Sequence, residues 1–232
     1  MGIKERHERD REAVKRAILD AARDLFVNEG YENVSIRKIA ERIEYSPAAI
    51  YGYFPSKDEI FLALAEEGVR LLGACDVGPV GGLPVIERLR RRVLRLYRFS
   101  IEHPQYFALL FVDRAVPRIC RESDRFGFAR EMRHELIREL EEATSQGVFP
   151  ANTPASVALR ILTMGVLGVA VMRLSGRLTA EYADGLVTDV LNVTLAGLET
   201  GVVLSSDSAV SAAADEAAAH QERNRDHAQM RG

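Results

Sequence analysis

Tryptophan is absent from this sequence, cysteine occurs twice, and aromatic residues make up only 7% of it. Cys75 and Cys120 lie far apart and in no Cys-x-x-Cys pattern, which excludes a disulfide framework or a thiolate metal site and leaves two free thiols. His103, His134, His220 and His227 are not paired at metal-ligand spacing, and no Gly-x-Ser-x-Gly elbow or other catalytic constellation is present. The chain is therefore expected to be no enzyme and to need no metal or cofactor. An uninterrupted apolar run of about 18 residues, enough to span a bilayer, is missing too. Residues Met1 to Asp10 carry charges of both signs and lack the apolar centre of a secretory signal. These absences point to a cytoplasmic protein with no membrane partner. Nor is there an excess of one charge: the formal net charge is -3, with 28% of residues charged. Attraction to nucleic acid has to come from a local patch.

What is present is helical periodicity, with 47% hydrophobic residues to fill a core. Alternating polar and apolar runs are absent, so the predicted fold class is all-α. Between Arg11 and Asn28 the apolar positions Val14, Ile18, Ala21, Ala22, Leu25 and Phe26 recur at spacings of three and four, and Gly30 supplies the stop. Ser35 offers an N-cap for a short helix ending near Ile43, with Ile36, Ile39 and Ala40 inward. After a turn at Glu44 and Tyr45, Ser46 caps a second short helix, with Pro47 at the first position, where its missing N–H costs nothing. Ser56 and Glu59 form a capping box for a longer helix running to about Leu72. The Gly- and Pro-rich stretch 73–83 reads as a linker. Further helices are expected over Pro84 to His103, Pro104 to Val112, Ser123 to Gln146, Pro154 to Leu174 and Thr179 to Leu198. The expected domains are 1–72, carrying a helix-turn-helix at about 34–54, and a helical domain at 84–204. Residues 205–232 are expected to form a disordered tail.

Two short helices joined by a tight turn and backed by a longer one place the second helix in the DNA major groove. Any small helical bundle contains such a pair, so the chemistry of the outward face decides. Ser46, Pro47, Ala48, Ala49, Tyr51 and Tyr53 present small groups and phenols without a carboxylate. Between Val34 and Lys57, the bases Arg37, Lys38, Arg42 and Lys57 outnumber Glu41 and Glu44, unlike the chain as a whole.

The run Ser35-Ile36-Arg37-Lys38-Ile39-Ala40, followed by Ser46-Pro47-Ala48-Ala49-Ile50-Tyr51-Gly52-Tyr53-Phe54-Pro55-Ser56-Lys57-Asp58-Glu59-Ile60, resembles the signature of the tetracycline-repressor (TetR/AcrR) family of bacterial regulators. The resemblance covers Arg11 to Leu64. It departs at the turn, where the family's usual glycine is replaced by Glu44, a substitution that implies either strain of about 1 kcal/mol at a left-handed position or a turn of different shape. By resemblance, Tyr51 and Lys57 contact phosphates, and Ser35 and Arg37 do the same or reach a base. Ala48 and Ala49 fall where the family reads base edges, and alanine offers only a methyl contact. Tyr53 either meets the sugar-phosphate backbone or packs against the preceding helix, and Tyr45 is either a groove-edge contact or a packing residue. The interleaved charges of Lys4 to Arg16 fit a groove-seeking arm or a solvated helix end.

In the second half, bulky apolar residues cluster over Tyr106 to Phe111 and over Ile161 to Met172, the latter apolar almost all round. The resemblance implies a homodimer through the last two helices, which would present two heads to double-stranded DNA with an inverted-repeat operator. The other reading makes both helices internal core. The family also implies a small apolar effector in a cavity of this domain, with Tyr106, Phe107, Phe111, Phe126, Phe128, Met164, Met172 and Arg173 as candidate lining, unless each is simply core. A transcriptional regulator, and more specifically a repressor by steric blocking, is the expectation; the alternative is a protein-interaction module with a vestigial helix-turn-helix.

Overall fold

A computed structural model describes residues 3–113 and 127–201. Every regular element among them is helical: α1 (Ile3–Glu29), a 3-10 turn (Tyr31–Asn33), α2 (Ile36–Arg42), α3 (Pro47–Tyr51), α4 (Lys57–Ala74), α5 (Val85–Glu102), α6 (Pro104–Phe111), α7 (Gly127–Ser145), α8 (Ala155–Leu174) and α9 (Ala180–Glu199). The expected tail, Phe126 and the side chain of Phe128 lie outside the described residues.

The starts and stops follow from the residues that cap them. Ser35, Ser46 and Ser56 each accept a hydrogen bond through Oγ from the backbone N–H three residues on, at 3.2 Å in all three cases, which satisfies one orphan donor per helix. Thr179 does the same for α9, accepting from the Tyr182 N–H at 3.3 Å. Gly30, at φ 80°, takes the left-handed conformation that releases the chain from α1 into the 3-10 turn. Two boundaries differ from expectation. α1 starts at Ile3 rather than near Arg11, because its charged first turns form a solvated helix that apolar periodicity cannot register. α4 runs through Gly73 to Ala74, and the Leu71 carbonyl accepts from the Cys75 N–H at 3.1 Å.

One apolar cluster runs from Ile18 in α1 to Leu198 in α9. Phe26, Phe61, Phe99, Phe107 and Phe149 are among its fully buried members, and burying a side chain of this size is worth about 1.5–3 kcal/mol. α1 packs on α2, α4 and α6; α5 packs on α7 and α8; α8 and α9 lie side by side. Gly165 lets the last pair close up, since a Cβ there would come within 2.7 Å of Val190 Cγ1. Although no uninterrupted apolar run reaches membrane-spanning length, α8 has a mean hydropathy of 2.0 across a window long enough to span one. Only 39% of that window is buried within the chain, so much of its apolar surface is uncovered.

Candidate functional site

The turn between α2 and α3 closes through two backbone bonds: the Tyr45 N–H donates to the Ala40 carbonyl at 2.9 Å and the Glu44 N–H to the Glu41 carbonyl at 3.3 Å. This is the pattern of a helix ended by a left-handed residue. Glu44 occupies that position with φ 59°, the one non-glycine residue with positive φ among those described. The helix-turn-helix thus keeps its geometry without the expected glycine, at the cost of a Cβ in a crowded backbone conformation.

α3 then presents Ser46, Pro47, Ala48 and Tyr51 to solvent, with Ala49 half-buried and Ile50 fully buried beneath them. The Tyr51 side chain is 57% exposed. Ser35 and Ser46 use an oxygen lone pair for capping, which leaves each hydroxyl proton free to donate outward. Tyr53 behaves differently: its ring is half-buried against the core and covered by the Arg11 guanidinium, 5.5 Å from the centroid. Packing against a neighbouring helix, one of the two readings open for this residue, describes its ring. Tyr45 remains exposed.

The basic side chains of the motif are not all equally available. Arg37 lies on the surface with its Nε 2.8 Å from Glu41 Oε1. Lys38 pairs with Glu29 of α1. Lys57, at the start of α4, donates from Nζ to the Tyr31 carbonyl at 2.8 Å, and its ammonium lies 3.9 Å from the Tyr31 ring centre. The Tyr31 hydroxyl in turn donates to Asp58.

Behind the motif, α1 is tied to α4 and α6 by a polar cluster around Tyr106. Arg16 Nη1 holds Glu67 of α4 at 2.7 Å, its Nη2 holds Asp20 at 2.7 Å, and the same Nη2 lies 3.3 Å from the Tyr106 hydroxyl. Arg23 stacks over the Tyr106 ring at 5.4 Å. Gly68 admits this approach of α6, since a Cβ there would meet Leu110 at 3.0 Å and Tyr106 at 3.1 Å.

Between α4, α5, α6, α7 and α8 lies a cavity of about 510 Å³. Val69, Leu72, Leu96, Leu110, Leu136 and Leu167 supply apolar wall, and Arg92, Arg95, Arg133, Glu135 and Arg160 supply the charges. On the outer side of α8 and α9, Ile161, Met172, Tyr182 and Val193 are exposed in the single chain.

Residues 18–64 match the family described as bacterial regulatory proteins, tetR family. This segment, which holds the helix-turn-helix, is what the chain shares with that family. The chain is 36% identical over 98 residues to the HTH-type transcriptional repressor KstR of Mycobacterium tuberculosis, a match covering 42% of this chain and 44% of KstR. It is 40% identical over 53 residues to the HTH-type transcriptional repressor AcnR of Corynebacterium diphtheriae, covering 23% of this chain and 28% of AcnR. The matched region is thus less than half the length of either relative. Among solved structures, a TetR family transcription regulator from Marinobacter aquaeolei superposes with a TM-score of 0.62 at 18% identity, covering 82% of this chain and 98% of that one. The ketosteroid transcriptional regulator KstR2 of Mycobacterium tuberculosis gives 0.61 at 20% identity, covering 79% and 94%. At these identities the structures speak for the fold alone, and they carry the all-α architecture across both halves. The named relatives are regulators rather than enzymes.

Within this fold, the nine residues expected at the DNA face sit on or beside α2 and α3, with Lys57 turned toward Tyr31. Of the eight expected cavity residues, the six whose side chains are described do not gather. Phe111 and Met164 line the cavity. Phe107 is core, stacked between Phe99 and Phe111, and Tyr106 belongs to the α1 junction. Met172 is exposed and Arg173 half-buried, and neither is part of the cavity wall. The charged lining from α5 and α7 was missed. Its signal was present in the sequence: Arg88, Arg92 and Arg95 repeat at the spacing of Glu135, Glu139 and Glu142, one helical stripe opposite another.

Proposed function

We propose that this TetR-family chain is a cytoplasmic transcriptional repressor that grips an inverted-repeat operator as a homodimer and lets go when a small, largely apolar effector fills the cavity. In this reading the segment up to about residue 72 is the DNA-binding head, and the helices beyond the 73–83 linker form the effector and dimer domain. The observation that carries the reading is the α3 face, where Tyr51 stands exposed beside small residues that let the backbone of the helix approach phosphates. Ser35, Arg37, Ser46, Pro47, Ala48, Ala49, Tyr51 and Lys57 make up the contact surface. Tyr53 supports it through packing.

Further support comes from the uncovered apolar side of α8 and α9, which a second copy of the same surface would bury, and from a cavity whose volume suits a small molecule. Base reading by Ala48 and Ala49 is limited to methyl contacts, so sequence preference rests mainly on DNA shape and on contacts made around α3. The test is fluorescence anisotropy of the purified chain with an inverted repeat from its own upstream region and with random DNA, across a salt series. A steep negative salt slope and a preference for the upstream repeat are expected. Tyr51→Phe should weaken binding about fivefold on both DNAs, as loss of one phosphate hydrogen bond implies. Equal affinity for both DNAs with the wild-type chain would remove the repressor reading.

A further inference from the structure

Three arginines of α5, Arg88, Arg92 and Arg95, follow one another at spacings of four and three, and so form a single stripe on the helix. The facing stripe on α7 consists of Glu142, Glu139, Glu135 and Met132, running in the opposite direction. The rungs are built in order. Arg88 bonds Glu142 and, at 3.3 Å, Glu139. Arg92 bonds Glu139 at 3.0 Å and Glu135 at 2.7 Å. At the third rung the acid is replaced by a thioether: Arg95 Nη1 donates to Met132 Sδ at 3.9 Å, and Arg95 Nε is buried with no partner. Thioether sulfur is a weak acceptor. Among the described residues, this guanidinium therefore has no hydrogen-bonded carboxylate, unlike both its neighbours.

Arg95 and Met132 both line the 510 Å³ cavity. Of the other charged groups on its wall, Glu135 is already neutralised by Arg92, and Arg133 and Arg160 add positive charge. We infer that the cavity binds a compound with an apolar body and a single carboxylate, and that Arg95 is the carboxylate's partner. The inference rests on the reading of the cavity as the effector site. A carboxylate is the matching anion because it presents two acceptors to the guanidinium fork, as Glu139 and Glu135 do to Arg92. Burial and the nearby Arg92 both depress the Arg95 pKa, but an arginine starts so high that it stays charged at neutral pH. A half-buried guanidinium with no carboxylate hydrogen-bonded to it among the described residues favours a ligand that brings one. An alcohol of the same shape fills the apolar volume and offers Arg95 at most a neutral hydroxyl acceptor, and a hydrocarbon offers none.

Isothermal titration of the full-length protein with decanoate and with decanol separates these cases. The wild-type chain is expected to bind decanoate about tenfold more tightly than decanol, the gain typical of a charge-assisted hydrogen bond. Arg95→Met should remove that preference, bringing the two affinities together. Met132→Glu supplies an acid from within the chain, so it should also cut the preference for decanoate over decanol, whatever it does to binding of both, and it keeps the test open should Arg95→Met fail to fold. Equal affinity of the wild-type chain for the two ligands would overturn the carboxylate assignment but leave an apolar effector standing. Binding of neither ligand would overturn both. A Met132→Glu variant that keeps the full decanoate preference would overturn the role of Arg95.

Discussion

The Lys57 ammonium lies 3.9 Å from the centre of the Tyr31 ring and donates to the Tyr31 carbonyl at 2.8 Å. One side chain thereby pins the start of α4 to the turn that ends α1, beneath the helix-turn-helix. Lysine at this position is therefore part of the scaffold as well as a candidate phosphate contact. Lys57→Ala is expected to lower the stability of the free protein by about 1–2 kcal/mol, from the lost cation-π contact and hydrogen bond. Urea unfolding without DNA measures this directly. An unchanged midpoint would mean that the lysine serves DNA alone.

Glu44 adopts φ 59° where glycine is the unstrained choice. Glu44→Gly is expected to raise stability by about 0.5–1 kcal/mol, the relief of the left-handed Cβ clash being partly offset by the greater freedom of the unfolded chain. Glu44→Ala keeps the Cβ and should give no such gain. Thermal melts of the two variants separate backbone strain from loss of the charge. Equal melting temperatures would show that the turn is not strained.

The contrast between these elements and the cavity shows what local sequence can carry. Ser35, Ser46, Ser56 and Pro47 mark helix starts through bonds within three residues, so their roles can be read from spacing alone. Glu44 is marked as the left-handed position by the family resemblance, whose usual glycine it replaces. The cavity is another matter, because periodicity says that Tyr106 and Phe107 face inward but not which helix they face. Tyr106 meets Arg16 and Arg23 of α1, while Arg95, on a helix read only for its length, reaches the cavity. Which inward face borders a void depends on packing between helices distant in the chain, and no local rule supplies it.

Asp20 sits between Arg16, at 2.7 Å, and Arg23, at 2.9 Å. Burial alone would raise its pKa, but hydrogen bonds and charge from the two arginines outweigh it, and the net shift is downward. The folded state thus prefers the ionised carboxylate. Its contribution to stability is present above the ordinary aspartate value of about 3.9 and is lost as pH falls through the lower folded value. Asp20→Asn removes that contribution. The stability gap between wild type and Asp20→Asn should therefore be widest near neutral pH and shrink in acid. Denaturation curves of both proteins over a pH series check the sign, and a gap that widens in acid would refute it.

Val193 is 73% exposed on α9 in the single chain, next to a helix pair whose apolar outer side has no cover. If a second copy covers that side, a twofold axis brings each substitution into the interface twice. Val193→Asp then places two like charges in an apolar contact while leaving the chain's own core intact. The expected result is a folded monomer in sedimentation velocity, with an unchanged helical circular dichroism spectrum. Operator affinity should fall at least about tenfold, because two linked heads bind an inverted repeat far more tightly than one. The two readouts must move together if the dimer positions the heads. A Val193→Asp protein that stays dimeric would place the interface on another face of the bundle, and a monomer that keeps full operator affinity would detach DNA binding from dimerisation altogether.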